Sequence, residues 1–237
     1  MQDQVRHAKS YPFSIPERSY VFSDGDIRPW DASFHRSGRI PVIAVGSNQS
    51  PAQLRRKYDG ITGIAIPAER ARLHDFDVVY AAHISSYGSV PATLQASPGT
   101  AVALFVLWLD EPALARMHAT EGNYTYDRLT GIRLELESGG TLDQAFAYSA
   151  KVGCLNVEDG CASLAAIPAR ERTNPAFRQC DILARVRDWL EPGMALDAFV
   201  SAHIADAELR RARIAEIGHD ALPLNYTREV VARLDGV

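Results

Sequence analysis

From Ile61 to Lys151 the chain places strand-length apolar runs at 61–66, 72–82, 90–96, 101–109, 130–137 and 143–151, and only one convincing helix, Glu111–Thr120, interrupts them. A further run, Ile40–Val45, rich in β-branched residues, precedes them. Regular strand–helix alternation is therefore missing, which disfavours a doubly wound parallel sheet. Turn residues at Ser97-Pro98-Gly99 and Ser138-Gly139-Gly140 divide the runs. The pattern predicts an α+β protein built on a small mixed β-barrel of six to seven short strands, with packed helices, mainly C-terminal.

Around this core, taken as 39–150, two flanking regions differ in character. Residues 1–38 are polar, Pro-containing and weakly periodic, and are expected as an extended arm. Residues 151–237 are expected to pack on the same domain as a hairpin insertion and C-terminal helices. The hairpin is "VGCLNVEDGCASLAAI", two apolar runs around Glu158-Asp159-Gly160. Phe177, Ile182, Leu183, Val186, Trp189 and Leu190 form a helical stripe, and helices are predicted at 194–203, 205–217 and 225–234. After Ile40–Val45, Ser50 with Pro51 and Gln53 reads as a capped helix start, the helix running through Leu54 and Tyr58 to Gly60.

A formal net charge of −4 argues against a nucleic-acid partner. Arg210-Arg211-Ala212-Arg213 lies among Asp206, Glu208 and Glu216, a solvated helix face rather than a basic stripe. Three cysteines without a CxxC pair fit a reducing compartment. The polar N-terminus lacks a secretory h-region, and no apolar stretch approaches the roughly 18–20 residues of a membrane span. A cytoplasmic protein without a membrane partner is the expectation. Cys154 and Cys161 flank the hairpin turn, where two small buried hydrophobes fit better than a metal site; no histidine joins them at ligand spacing. P-loop, GxGxxG and GxSxG motifs do not occur.

Two stretches are chemically suggestive. Gly46-Ser47-Asn48-Gln49 follows an apolar strand directly, either as a tight turn or as a cradle of backbone N–H groups for an anion. Glu121-Gly122 closes the helix Glu111–Thr120. The plain reading makes Glu121 solvent-facing and Gly122 the C-cap. A glutamate there opposes the helix dipole, which hints at another reason for its position.

Taken in order, "AVGSNQSPAQLRRKY", "ARLHDFDVVYAAH", "SVPATLQASPGTAVALFVLWL", "EPALARMHATEG" and the late "HDALPLNYTREVVARL" resemble the γ-glutamylcyclotransferase-like family. The resemblance implies that Val45, Gly46, Ser47, Asn48 and Gln49 bind the α-carboxylate end of a small γ-glutamyl substrate, and that Glu121 is the general acid/base. The implied reaction is intramolecular: the substrate's α-amine attacks its γ-amide carbonyl, releasing an amine and 5-oxoproline, with no cofactor. Such a carboxylate works best in an apolar pocket that raises its pKa. Tyr148 lies in a strand where some members carry a pocket tyrosine, and also fits an ordinary half-buried aromatic. Ser86–Thr93, "SYGSVPAT", reads as a loop able to cover the substrate. The chain departs from the family at Val45, where a tyrosine is usual, at Leu104-Phe105, where a glycine is common, and over 151–170. A non-catalytic small-molecule-binding member of the fold, or a related γ-glutamyl amide-cleaving or transferring enzyme, are the alternatives.

Overall fold

The computed structural model describes residues 1–31 and 36–235; positions 32–35 of the expected arm, and the C-terminal 236–237, lie outside the described residues. In chain order the elements are α1 (Gln2–Lys9), β1 (Tyr20–Ser23), β2 (Asp26–Pro29), β3 (Ile40–Ala44), α2 (Pro51–Lys57), β4 (Ala65–Tyr80), β5 (Ala92–Leu109), α3 (Glu111–His118), β6 (Tyr124–Leu136) and β7 (Thr141–Ala150). There follow the short strands β8 (Asn156–Val157), β9 (Gly160–Cys161), β10 (Ser163–Leu164), β11 (Ala169–Arg170) and β12 (Ala176–Phe177), then α4 (Gln179–Leu190), α5 (Leu196–Ala205), α6 (Ala207–His219) and β13 (Glu229–Arg233).

Five strands close a mixed barrel in the order β4–β5–β3–β7–β6 and back to β4. The β3–β7 pair is parallel and the other four contacts are antiparallel. The expected six or seven short strands resolve as fewer, longer ones. The runs at 61–66 and 72–82 merge into the 16-residue β4, and those at 90–96 and 101–109 into the 18-residue β5. Ser97-Pro98-Gly99 is accordingly a bulge rather than a turn. The β4–β5 register jumps from His74↔Ala101 to Phe76↔Ala96, and the Gly99 N–H donates to Asp75 Oδ1 at 2.8 Å.

Alternation along the strands feeds two cores. Ile43, Leu104, Val106 and Trp108 face one, which draws on all five barrel strands and on α1, α4 and α5. Val42, Ala44, Phe105 and Leu107 face the other, where Leu54 and Tyr58 from the α2 side and Ala113 and Met117 of α3 pack. Burial on both faces explains why β3 and β5 read as continuous apolar runs. Each fully buried Leu or Ile there contributes about 1.5–3 kcal/mol.

Where an extended arm was expected, residues 1–31 fold onto the barrel. Val5 and Ala8 of α1, Tyr11, Tyr20 and Phe22 are all buried, and β1 pairs antiparallel with β4. Their apolar spacing is thinly spread among polar residues, which hid it. The segment 225–234 is not a helix either. Glu229–Arg233 pairs antiparallel with β6, whose free edge supplies hydrogen bonds that an isolated β-branched Val230-Val231 helix would lack support for. The hairpin at Glu158-Asp159 forms as a β8–β9 pair, both turn residues having positive φ (55° and 64°). No helix among the described residues is long and apolar enough to cross a membrane.

Candidate functional site

At one end of the barrel, the β3–α2 loop, the last turn of α2, the α3–β6 connection and the β4–β5 loop converge on a cleft of about 130 Å³. β3 delivers the loop: its apolar run ends at Val45, and Ser47–Gln49 turns once as a 3-10 segment before Pro51 starts α2. The expected capping box does not form. Ser50 stands at the N-cap, but its Oγ and Gln53 Oε1 are buried without a hydrogen-bond partner among the described residues.

Glu121 is 7% exposed, which overturns its reading as a solvent-facing residue. α3 ends early, at His118, and the Glu121 N–H donates to the His118 carbonyl at 3.1 Å, turning the side chain inward. Its Oε1 accepts from Asn48 Nδ2 at 2.8 Å and from the Lys57 ammonium. Both partners take the same oxygen, so Oε2 has no partner among the described residues. Where an apolar pocket was expected around the carboxylate, a buried cation meets it: Lys57 is 7% exposed.

Val45, Gly46, Ser47, Asn48 and Tyr148 line the cleft together with Glu121. Gln49 does not. Its side chain turns to the back of the loop, where Nε2 donates to the Val45 carbonyl at 3.0 Å, and its N–H donates to the Gly46 carbonyl. The cradle thus narrows to Gly46–Asn48, since internal hydrogen bonds of the 3-10 turn consume the rest. The Tyr148 hydroxyl lies 2.9 Å from His118 Nδ1. Burial lowers the His118 pKa, opposed in part by the nearby Glu121 charge, and burial raises that of Tyr148. Leu104 and Phe105 do not line the cleft; alternation along β5 sends them to the two cores.

Ser85, Ser86, Tyr87, Pro91 and Ala92 form one wall, so the "SYGSVPAT" stretch borders the cleft. Gly88 there has φ +83°, and a Cβ would meet Ile204 at 2.9 Å and Val200 at 3.0 Å on α5. Further lining residues carry polar groups that the sequence reading did not assign to a site, among them Tyr11, Lys57, His83 and Tyr124. His83 is 2% exposed, and burial pushes its pKa down to about 4, leaving a neutral imidazole. Lys57 carried a readable signal, since it lies three residues after Leu54 and beside Tyr58 on the apolar face of α2. A lysine on that face asks for a buried anion. Three buried atoms around the cleft, Asn48 Oδ1, Gln53 Oε1 and His83 Nδ1, lack a partner among the described residues. Buried polar atoms of this kind call for a partner such as water, an ion or a ligand group. Among the described residues, no group of three or more His, Cys, Asp and Glu side chains is placed to hold a metal ion.

No family model and no curated protein matches the chain. Among solved structures, one described as a gamma-glutamyl cyclotransferase is 15% identical, covering 81% of this chain and 93% of its own, with a TM-score of 0.38. An uncharacterized protein from Homo sapiens is also 15% identical, covering 82% and 94%, with a TM-score of 0.39. At those values the likeness says nothing of the chemistry in the cleft.

Proposed function

We propose that the cleft cyclises a γ-glutamyl amine or peptide to 5-oxoproline, as a γ-glutamylcyclotransferase-like enzyme. The observation that carries the reading is the 2.8 Å contact between Asn48 Nδ2 and Glu121 Oε1, which joins two stretches 73 residues apart in one small cleft. In the reaction, a bond forms between the substrate's α-nitrogen and its γ-carbon, and the bond from that carbon to the leaving nitrogen breaks. The α-amine, with a pKa of about 8, arrives as an ammonium and must shed protons; the leaving nitrogen must gain one. Glu121 serves both transfers through Oε2, while Asn48 and Lys57 hold Oε1. The unpartnered acceptors Asn48 Oδ1 and Gln53 Oε1 suit the N–H groups of that ammonium. Tethering of nucleophile and electrophile supplies much of the rate, effective molarities of about 10⁵ M and above being attainable.

The Lys57 ammonium on Glu121 favours a second reading, a binding protein for γ-glutamyl compounds in which the carboxylate is occupied and no turnover follows. Incubation with γ-glutamyl amino acids, γ-glutamyl amines and glutathione separates the two. The first reading requires 5-oxoproline from at least one compound and none from its N-acetylated analogue, whose α-nitrogen cannot attack. Hydrolysis of both to glutamate products would instead indicate amide cleavage by water.

A further inference from the structure

We infer that Tyr11 is a substrate-binding residue, its hydroxyl donating to the α-carboxylate of the γ-glutamyl group beside the Gly46–Ser47 turn. The inference rests on the reaction proposed above and assigns to that site a residue from outside the barrel. Tyr11 is 5% exposed and lines the cleft. Its phenolic oxygen accepts the Ala92 N–H at 2.9 Å. With its oxygen already accepting from the Ala92 N–H, the hydroxyl still has its proton to donate, and no acceptor for that proton stands among the described residues. A hydroxyl whose oxygen already accepts is polarised into a better donor. Burial raises its pKa well above the usual phenol value, so the proton stays on.

The Tyr11 hydroxyl therefore stands against the expected backbone cradle, beside Gly46. Gly46 makes the approach possible: a Cβ there would clash with the Tyr11 hydroxyl and stand 3.1 Å from Cζ. The N-terminal segment is anchored for the purpose. Ser89 Oγ donates to the Ala8 carbonyl at 2.8 Å, and His7 stacks on Phe13 with ring centroids 4.2 Å apart, both rings against Tyr87.

The test uses calorimetric titration with 5-oxoproline and with its carboxamide, so that no turnover intervenes. A hydrogen bond from a neutral donor to a charged group predicts that Tyr11→Phe weakens 5-oxoproline binding by on the order of 10- to 100-fold. Carboxamide binding should change by much less. In steady state with a γ-glutamyl substrate, KM should rise by the same factor while kcat holds. Should Tyr11→Phe not fold, Gly46→Ala, whose methyl displaces the hydroxyl but keeps the tyrosine, must reproduce the loss. A folded Tyr11→Phe that keeps the wild-type preference for acid over carboxamide overturns the role of Tyr11 and leaves the reaction standing. A wild type that neither binds 5-oxoproline nor produces it overturns the proposed reaction, and the role of Tyr11 with it.

Discussion

Removing the Lys57 ammonium is the sharpest perturbation the cleft offers. The Lys57 and Glu121 side chains are 7% and 8% exposed, so neither charge has water to fall back on. Lys57→Met keeps the stem's volume and contact with Met117 but leaves the carboxylate with only the Asn48 amide. Breaking a buried ion pair from one side costs about 3–5 kcal/mol, because the cost is that of the orphaned charge. For a chain of this size that corresponds to a fall of about 6–20 °C in Tm. Glu121→Gln, which orphans the ammonium, should lose a comparable amount. The double variant, with both charges gone, should recover most of either loss, leaving a coupling energy of about 2 kcal/mol or more in the cycle. Urea unfolding at neutral pH reads all four proteins. Losses below about 1 kcal/mol, or a double variant that falls by the sum of the singles, would refute a buried, mutually dependent pair.

Two further outcomes follow from named groups. His83 is held neutral, with its folded pKa pushed down to about 4 against 6.5 in the unfolded chain. Its contribution is complete above pH 6.5 and is lost as pH falls toward 4, by about 2–3 kcal/mol; His83→Gln should flatten that limb of a stability profile taken between pH 7.5 and 4.5, and an unchanged slope would contradict it. Gly88→Ala places a methyl on Ile204 and Val200 at a positive φ, so thermal melting should report a loss of about 1–3 kcal/mol, and an unshifted midpoint would mean that the Ser85–Ser89 turn relaxes freely.

The cleft was half legible in the sequence, and the division has a physical cause. Gly46-Ser47-Asn48 stood out because small polar residues broke an apolar strand, and Glu121 because an acid sat where a helix dipole disfavours it. Both are local anomalies. Tyr11 and His83 are not anomalous locally; only the packing of α1 on α5 and the long β4–β5 ribbon bring them to the barrel's end. Lys57 carried one local sign, its place on the Leu54–Tyr58 face, but the acid it pairs with lies 64 residues further along the chain. The same distinction runs through the fold. A series of strand-length apolar runs with few helices between them predicted a barrel, but Pro98-Gly99 signals a turn and a bulge alike, and only the partner strand with Asp75 decides between them. Residues 229–233 became a strand because β6 had an edge to offer, a fact no window of that segment contains.

In the proposed reaction Glu121 moves the protons of a cyclisation performed by this cleft. The direct measurement is 5-oxoproline release from the best of a panel of γ-glutamyl compounds, with wild type and Glu121→Gln compared under conditions where both are folded. The account predicts product from the wild type and a loss of at least about 10²-fold in the variant, the usual contribution of a positioned acid–base group. Equal release from the two proteins would remove Glu121 from the mechanism, and no release from the wild type on any compound would contradict the proposed reaction itself.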